Sequence, residues 1–203
     1  MTQSTVEELQ QEPFEAGRVE GGLDPLEDVA RRLLVEIGED PERDGLKDTP
    51  ARFARWWREF SDYDAGEVGT LFRLPVDGQT VMVSDIRLWS LCEHHLLPFS
   101  CTIGIAYRPS GDVLGLSKFA RIAQRHAHRL QVQERLVQDI ADEISKVTGT
   151  QDVAVAAQGE HLCMSMRGIR TPAIMTSSVF RGVFEQPGMV RQEVFSTLLG
   201  GRA

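Results

Sequence analysis

Apolar residues recur at helical spacing near the start of the chain. Leu26, Val29, Ala30, Leu33, Leu34 and Ile37 fall on one side of a helix. Asp24 is placed to cap it, Pro25 suits its first position, and Gly38 supplies a stop. A second helix begins at Thr49-Pro50, with Phe53, Trp56, Trp57 and Phe60 along one face; these aromatics read as core or subunit contact. From about Val68 to Arg108 the texture changes. QTVMVSDIRLWS and CTIGIAYRP are rich in β-branched and aromatic residues and predict strands, and RPSGD (Arg108 to Asp112) predicts a turn. A helix capped by Ser117 follows. Next comes a helix in which Leu136, Ile140, Ile144 and Val147 share a face, closed by TGT. DVAVAAQGEHLCMSMRG and SSVFRGVF predict two more strands, and VRQEVFSTLLGG a short final helix. Strand pairs around a helical hairpin imply an α+β fold with a mostly antiparallel sheet.

Residues 1–22 are polar and acidic with little periodicity, which predicts a flexible N-terminal arm. Residues 23–203 are then one domain, helical over 23–64. A hydrophobic fraction of 41% against 26% charged residues places the chain among soluble globular proteins. No apolar run approaches the roughly 20 residues of a membrane helix. The acidic start lacks the basic and apolar segments of a signal peptide, so a cytoplasmic protein is expected. The net charge of −8 argues against a general nucleic-acid binder. The stretch SKFARIAQRHAHRLQVQERL departs from that balance. It holds Lys118, Arg121, Arg125, Arg129 and Arg135 against the single acid Glu134, which suits a small anionic ligand or a solvated helix face.

The chemistry concentrates at two places. The chain has three cysteines and five histidines, and Cys92, His94 and His95 fall within four consecutive positions. His161 and Cys163 form a second cluster. Thiolate and imidazole are the ligands of zinc, and a catalytic site uses three protein ligands and keeps one position for water. Three ligands must come from these five candidates. Cys101 has no such neighbour and reads as a small buried hydrophobe. If Glu160 to Arg167 is a strand, His161, Cys163, Ser165 and Arg167 share one face, and Leu162, Met164 and Met166 point into the core. Bound zinc brings the pKa of a water towards about 7, and a spare histidine can protonate a nitrogen leaving group. The residues thus suit metal-assisted hydrolysis of a C–N bond in an anionic, nitrogen-rich substrate.

CEHHLLPF, GLSKFARI, RLQVQERL and EHLCMSMRGIR together resemble GTP cyclohydrolase I, in that family's order and close to its spacing, from about Asp24 onward. The resemblance implies the tunnelling fold, with residues 65–203 as its catalytic part, assembled into a toroidal homodecamer with active sites between subunits. It implies conversion of GTP and water to formate and 7,8-dihydroneopterin triphosphate, the entry to tetrahydrofolate and other pterins. The matching positions make Cys92, His95 and Cys163 the zinc ligands and leave His94 and His161 for proton transfer. Ser117 would sit near the ribose. Glu134 would read guanine, with Gln133 in the same motif, and Lys118, Arg121, Arg167 and Arg52 would hold the triphosphate. Arg125 and Arg129 are left as helix-surface or intersubunit residues, and His126 and His128 as surface residues.

Overall fold

A computed structural model describes residues 24–74 and 78–200; the arm expected over 1–22 lies outside the described residues. The chain falls into two compact units, divided between Arg58 and Glu59. In the first, helix α1 (Pro25–Glu36) starts as its sequence predicts: the Asp24 carboxylate accepts from the Leu26 amide at 3.0 Å. The same carboxylate takes two hydrogen bonds at 3.0 Å from Arg58 on helix α2 (Thr49–Ser61). Arg58 first, then the Leu26 amide, hold the Asp24 carboxyl below the usual carboxylate range. Val29, Leu33 and Ile37 of α1 are exposed.

The second unit is built on a five-stranded sheet of order β5-β2-β3-β6-β7. Its strands are β2 (Val81–Cys92), β3 (Pro98–Tyr107), β5 (Leu130–Gln131), β6 (Val153–His161) and β7 (Ile174–Phe180). All pairings are antiparallel except that of β5 with β2. Two shorter strands, β1 (Leu71–Arg73) and β4 (Asp112–Leu114), form an antiparallel pair of their own.

Alternation along the strands sends side chains to two cores. Ile103, Ile105, Tyr107, Val153 and Val155 pack with Phe119 and Ile122 of α3 (Leu116–Ala127) and with Leu136, Ile140 and Ile144 of α4 (Gln133–Thr148). Ala106, Ala154 and Ala156 face the other way, onto Val194 and Leu198 of α6 (Met189–Leu198) and onto Phe184. Small residues on that face let the helix backbone approach closely.

Two local expectations are corrected. The strand predicted to run on to Arg167 stops at His161, and Leu162–Ser165 forms a single helical turn, α5. The neighbouring strands explain the stop. His161 pairs with Phe99, beyond which β3 has only Pro98, and β7 is preceded by Ala173 and Pro172. Proline has no N–H to extend a ladder, so the chain leaves the sheet there. Met164 and Met166, expected in the core, are exposed on this turn. Ser117 does not cap α3 either. Gly115 holds the cap position, fixed by a hydrogen bond from its amide to the Thr70 carbonyl at 3.1 Å, and Ser117 is exposed within the first turn.

Candidate metal centre and substrate site

The candidate ligand group is made where two strands run out at one end of the sheet. Cys92 is the last residue of β2, and the chain reverses at once into β3. The Cys92 amide donates to the Leu97 carbonyl at 2.8 Å, while the Cys92 carbonyl accepts from the amides of His95 at 3.3 Å and Leu96 at 2.8 Å. Leu96 takes a positive φ of 55° to close this turn. The Glu93 amide donates to the Gln131 carbonyl at 3.1 Å, which ties the turn to β5. The result places Nδ1 of His95 at 3.7 Å and Nδ1 of His94 at 4.0 Å from Sγ of Cys92.

The α5 turn brings in the third candidate ligand, Cys163. Candidate ligand atoms of Cys92, His95 and Cys163 all lie within 4.8 Å of one another, the one such group among the described residues. Ligands on a tetrahedral zinc at ordinary bond lengths sit about 3.6–3.8 Å apart, so a small contraction would close this group on a metal. Its chemistry fits as well. Burial, and next the neighbouring Cys92, push the Cys163 thiol above its ordinary range, against a smaller opposing pull from Arg167. Two facing sulfurs beside an imidazole form a soft donor set that a thiophilic dication would satisfy.

His161 ends β6 beside this group. Its ring stacks on Phe99, with centroids 4.6 Å apart and planes 6° from parallel, and its Nε2 lies 3.0 Å from Oε1 of Gln133. Burial holds the His161 imidazole below its ordinary range, partly offset by the Glu134 carboxylate. His94, by contrast, is exposed, with Nε2 at 3.8 Å from the Glu93 carboxylate. Glu93 is also gripped by Arg135.

Gln133 and Glu134 open α4, one turned inward and the other outward. Gln133 is fully buried, and Glu134 is exposed. The cations of α3 meet a different segment. Lys118 donates to the Glu67 carbonyl at 2.6 Å, Arg121 to the Ala65 carbonyl, and Arg125 to the Gly66 carbonyl at 3.1 Å. Among the described residues neither Lys118 nor Arg121 makes a hydrogen bond or ion pair with the candidate ligand group. Arg167 is exposed just past α5, and Arg52, in the N-terminal unit, pairs with Asp48 at 3.0 Å.

Two histidines expected at the surface are instead packed. His126 is 18% exposed and meets Glu143 at 2.6 Å, and His128 stacks on Tyr63 at 3.8 Å. Arg125 shares Glu143. Cys101 is buried as expected, and burial pushes its thiol up to about 12.

The sequence profile of GTP cyclohydrolase I matches residues 26–199. The chain belongs to the GTP cyclohydrolase I family. GTP cyclohydrolase 1 of Hyperthermus butylicus is 48% identical over 171 residues, covering 84% of this chain and 88% of that relative. GTP cyclohydrolase 1 of Corynebacterium glutamicum is 47% identical over 176 residues, covering 84% and 90%. That of Aquifex aeolicus is 43% identical over 176 residues, covering 86% and 96%. The antiparallel-rich sheet with α3 and α4 on one face is the tunnelling fold of the GTP cyclohydrolase I family. No helix among the described residues is long and apolar enough to cross a membrane.

Phe99, the last residue of CEHHLLPF, and Gly159 shape the surroundings of His161 and Gln133; Gly159 sits in an ordinary strand pattern and carried no sequence signal of its own.

Proposed function

We propose that this chain converts GTP and water to formate and 7,8-dihydroneopterin triphosphate, with zinc held by Cys92, His95 and Cys163. The observation that carries the reading is the convergence of those three side chains within 4.8 Å, with His94 and His161 outside that group. Zinc bound there supplies an acidified water and a polarising charge for attack at guanine C8.

The protein residues do the rest. His94 and His161 deliver and accept protons around the imidazole ring of guanine, beginning at N7. Burial, which lowers the His161 pKa, favours its neutral, proton-accepting form. Glu134 accepts hydrogen bonds from guanine N1–H and the 2-amino group, a pair that adenine does not offer. Ser117 serves proton relay at the ribose. Lys118, Arg121 and Arg167 bind the triphosphate, with Arg52 acting from another subunit.

The active assembly is a cytoplasmic homodecamer with sites between subunits. Among the described residues two sheet edges are open, which supports ring formation: β7 is terminal, and β5 covers only Leu91 and Cys92 along the outer edge of β2. The test is incubation of the purified, zinc-loaded, assembled protein with GTP. Equimolar formate and a product that fluoresces after oxidation are expected. Absence of both overturns the reading.

A further inference from the structure

Gln133 lies in the substrate motif, but its amide is not available to a ligand. The residue is fully buried at the start of α4. Its Nε2 faces three groups: the Ala157 carbonyl at 3.3 Å, the Met175 carbonyl at 3.1 Å and the Ser177 hydroxyl at 3.0 Å. Backbone carbonyls only accept, so this end of the amide must be the nitrogen. The other end is therefore the oxygen, and it meets Sγ of Cys101 at 3.4 Å and Nε2 of His161 at 3.0 Å.

An amide oxygen cannot donate. The hydrogen between Gln133 and His161 must therefore sit on Nε2 of the imidazole. The ring plane is fixed independently by its stack on Phe99. Nδ1 then remains as the nitrogen free to exchange a proton, and it makes no hydrogen bond among the described residues. The neighbouring strand is shaped for this contact. A Cβ at Gly159 would lie 2.4 Å from Oε1 of Gln133 and 2.7 Å from Sγ of Cys101, so only glycine lets the amide reach across β6.

We infer that Gln133 is a positioning residue, whose buried carbonyl locks His161 in the Nε2–H form and presents Nδ1 to the substrate. The inference deepens the proposed function and rests on it. Recognition of guanine then falls to Glu134, and Gln133 sets the geometry of proton transfer. By analogy with the partners that orient metal-bound histidines, its loss should cost about 10–100-fold.

The test compares zinc-loaded wild type with Gln133→Met, which keeps side-chain volume and removes the carbonyl, and with Gly159→Ala, which crowds the carbonyl away. Expected for both is a kcat for GTP lowered about 10–100-fold, with KM within about threefold and zinc content unchanged. Ring 15N spectra of histidine-labelled wild type, assigned against His161→Gln, should show His161 with its hydrogen on Nε2, and that preference should weaken in Gln133→Met. A hydrogen on Nδ1 of His161 in wild type overturns the inference, even if both variants fail to fold. A defect confined to KM would make Gln133 a substrate contact and also overturns it. Failure of wild type to release formate would instead sink the proposed function, and the ring spectra would still report on Gln133 and His161.

Discussion

Sγ of Cys92 lies 3.7 Å from Nδ1 of His95, one at the end of a strand and the other a single turn later. The turn hydrogen bonds set that spacing, so two of the three candidate ligands are positioned by one stretch of backbone. Cys163 arrives from a separate element and completes the set. Replacing Cys163 with serine leaves the turn intact and removes one soft donor. Cys163→Ser should purify with little zinc and lose turnover by more than the roughly 10–100-fold typical of an outer-shell partner. Metal analysis beside a formate assay checks both.

Glu134→Ala should keep zinc and the fold, because the carboxylate is exposed at the start of α4. Guanine would lose a charge-assisted acceptor for two donors. A hydrogen bond to a charged group contributes about 1.5–3 kcal/mol, so kcat/KM for GTP should fall roughly 10- to 100-fold. Preference for GTP over ITP, which lacks the 2-amino group, should fall with it. Steady-state kinetics on both nucleotides measures the effect; unchanged preference would remove Glu134 from base recognition.

The three thiols should separate on metal removal. Cys101 is buried, with its thiol pushed up to about 12, so at pH 8 it stays protonated and unreactive. That shift has a defined sign: burial favours the neutral thiol, and alkylation awaits unfolding. Chelation should expose Cys163, which is half-buried, to iodoacetamide, and Cys92 more slowly. Peptide mass spectrometry with and without chelator reads the order. Labelling of Cys101 first would contradict the packing around Gln133.

The contact of α6 with the sheet depends on Gly104. A Cβ there would lie 2.3 Å from the Leu198 carbonyl oxygen and 2.6 Å from its Cα. The obstacle is helix backbone, which cannot yield without shifting α6. Gly104→Ala should destabilise the protein by about 1–3 kcal/mol, the usual range for overpacking. A lower denaturation midpoint by circular dichroism would show it.

Much of this architecture could be read in the sequence, for identifiable reasons. The helices α1, α3 and α4 carry clear apolar periodicity, and β2 and β3 are dense in β-branched and aromatic residues. Cys92 and His95 were legible because a single tight turn holds them. Cys163 was also legible as a candidate, but for the wrong local reason. Strand alternation suggested a shared face with His161, whereas the ladder ends at His161 and a helical turn carries Cys163. Prolines on two other segments decide that ending, and no local pattern reports it. The role of Gln133 was hidden for the same reason. Its burial depends on Gly159, Cys101 and Met175, which are remote in sequence. The grip of Lys118 and Arg121 on the carbonyls of Glu67 and Ala65 likewise spans more than 50 residues.

X-ray absorption at the zinc edge of the purified protein tests the central claim most directly. The account predicts a four-coordinate zinc with two sulfurs at about 2.3 Å, one imidazole nitrogen at about 2.0–2.1 Å and one further light atom from solvent, all lost in Cys163→Ser. A shell closed by a fourth protein ligand, or one with no sulfur, would contradict it.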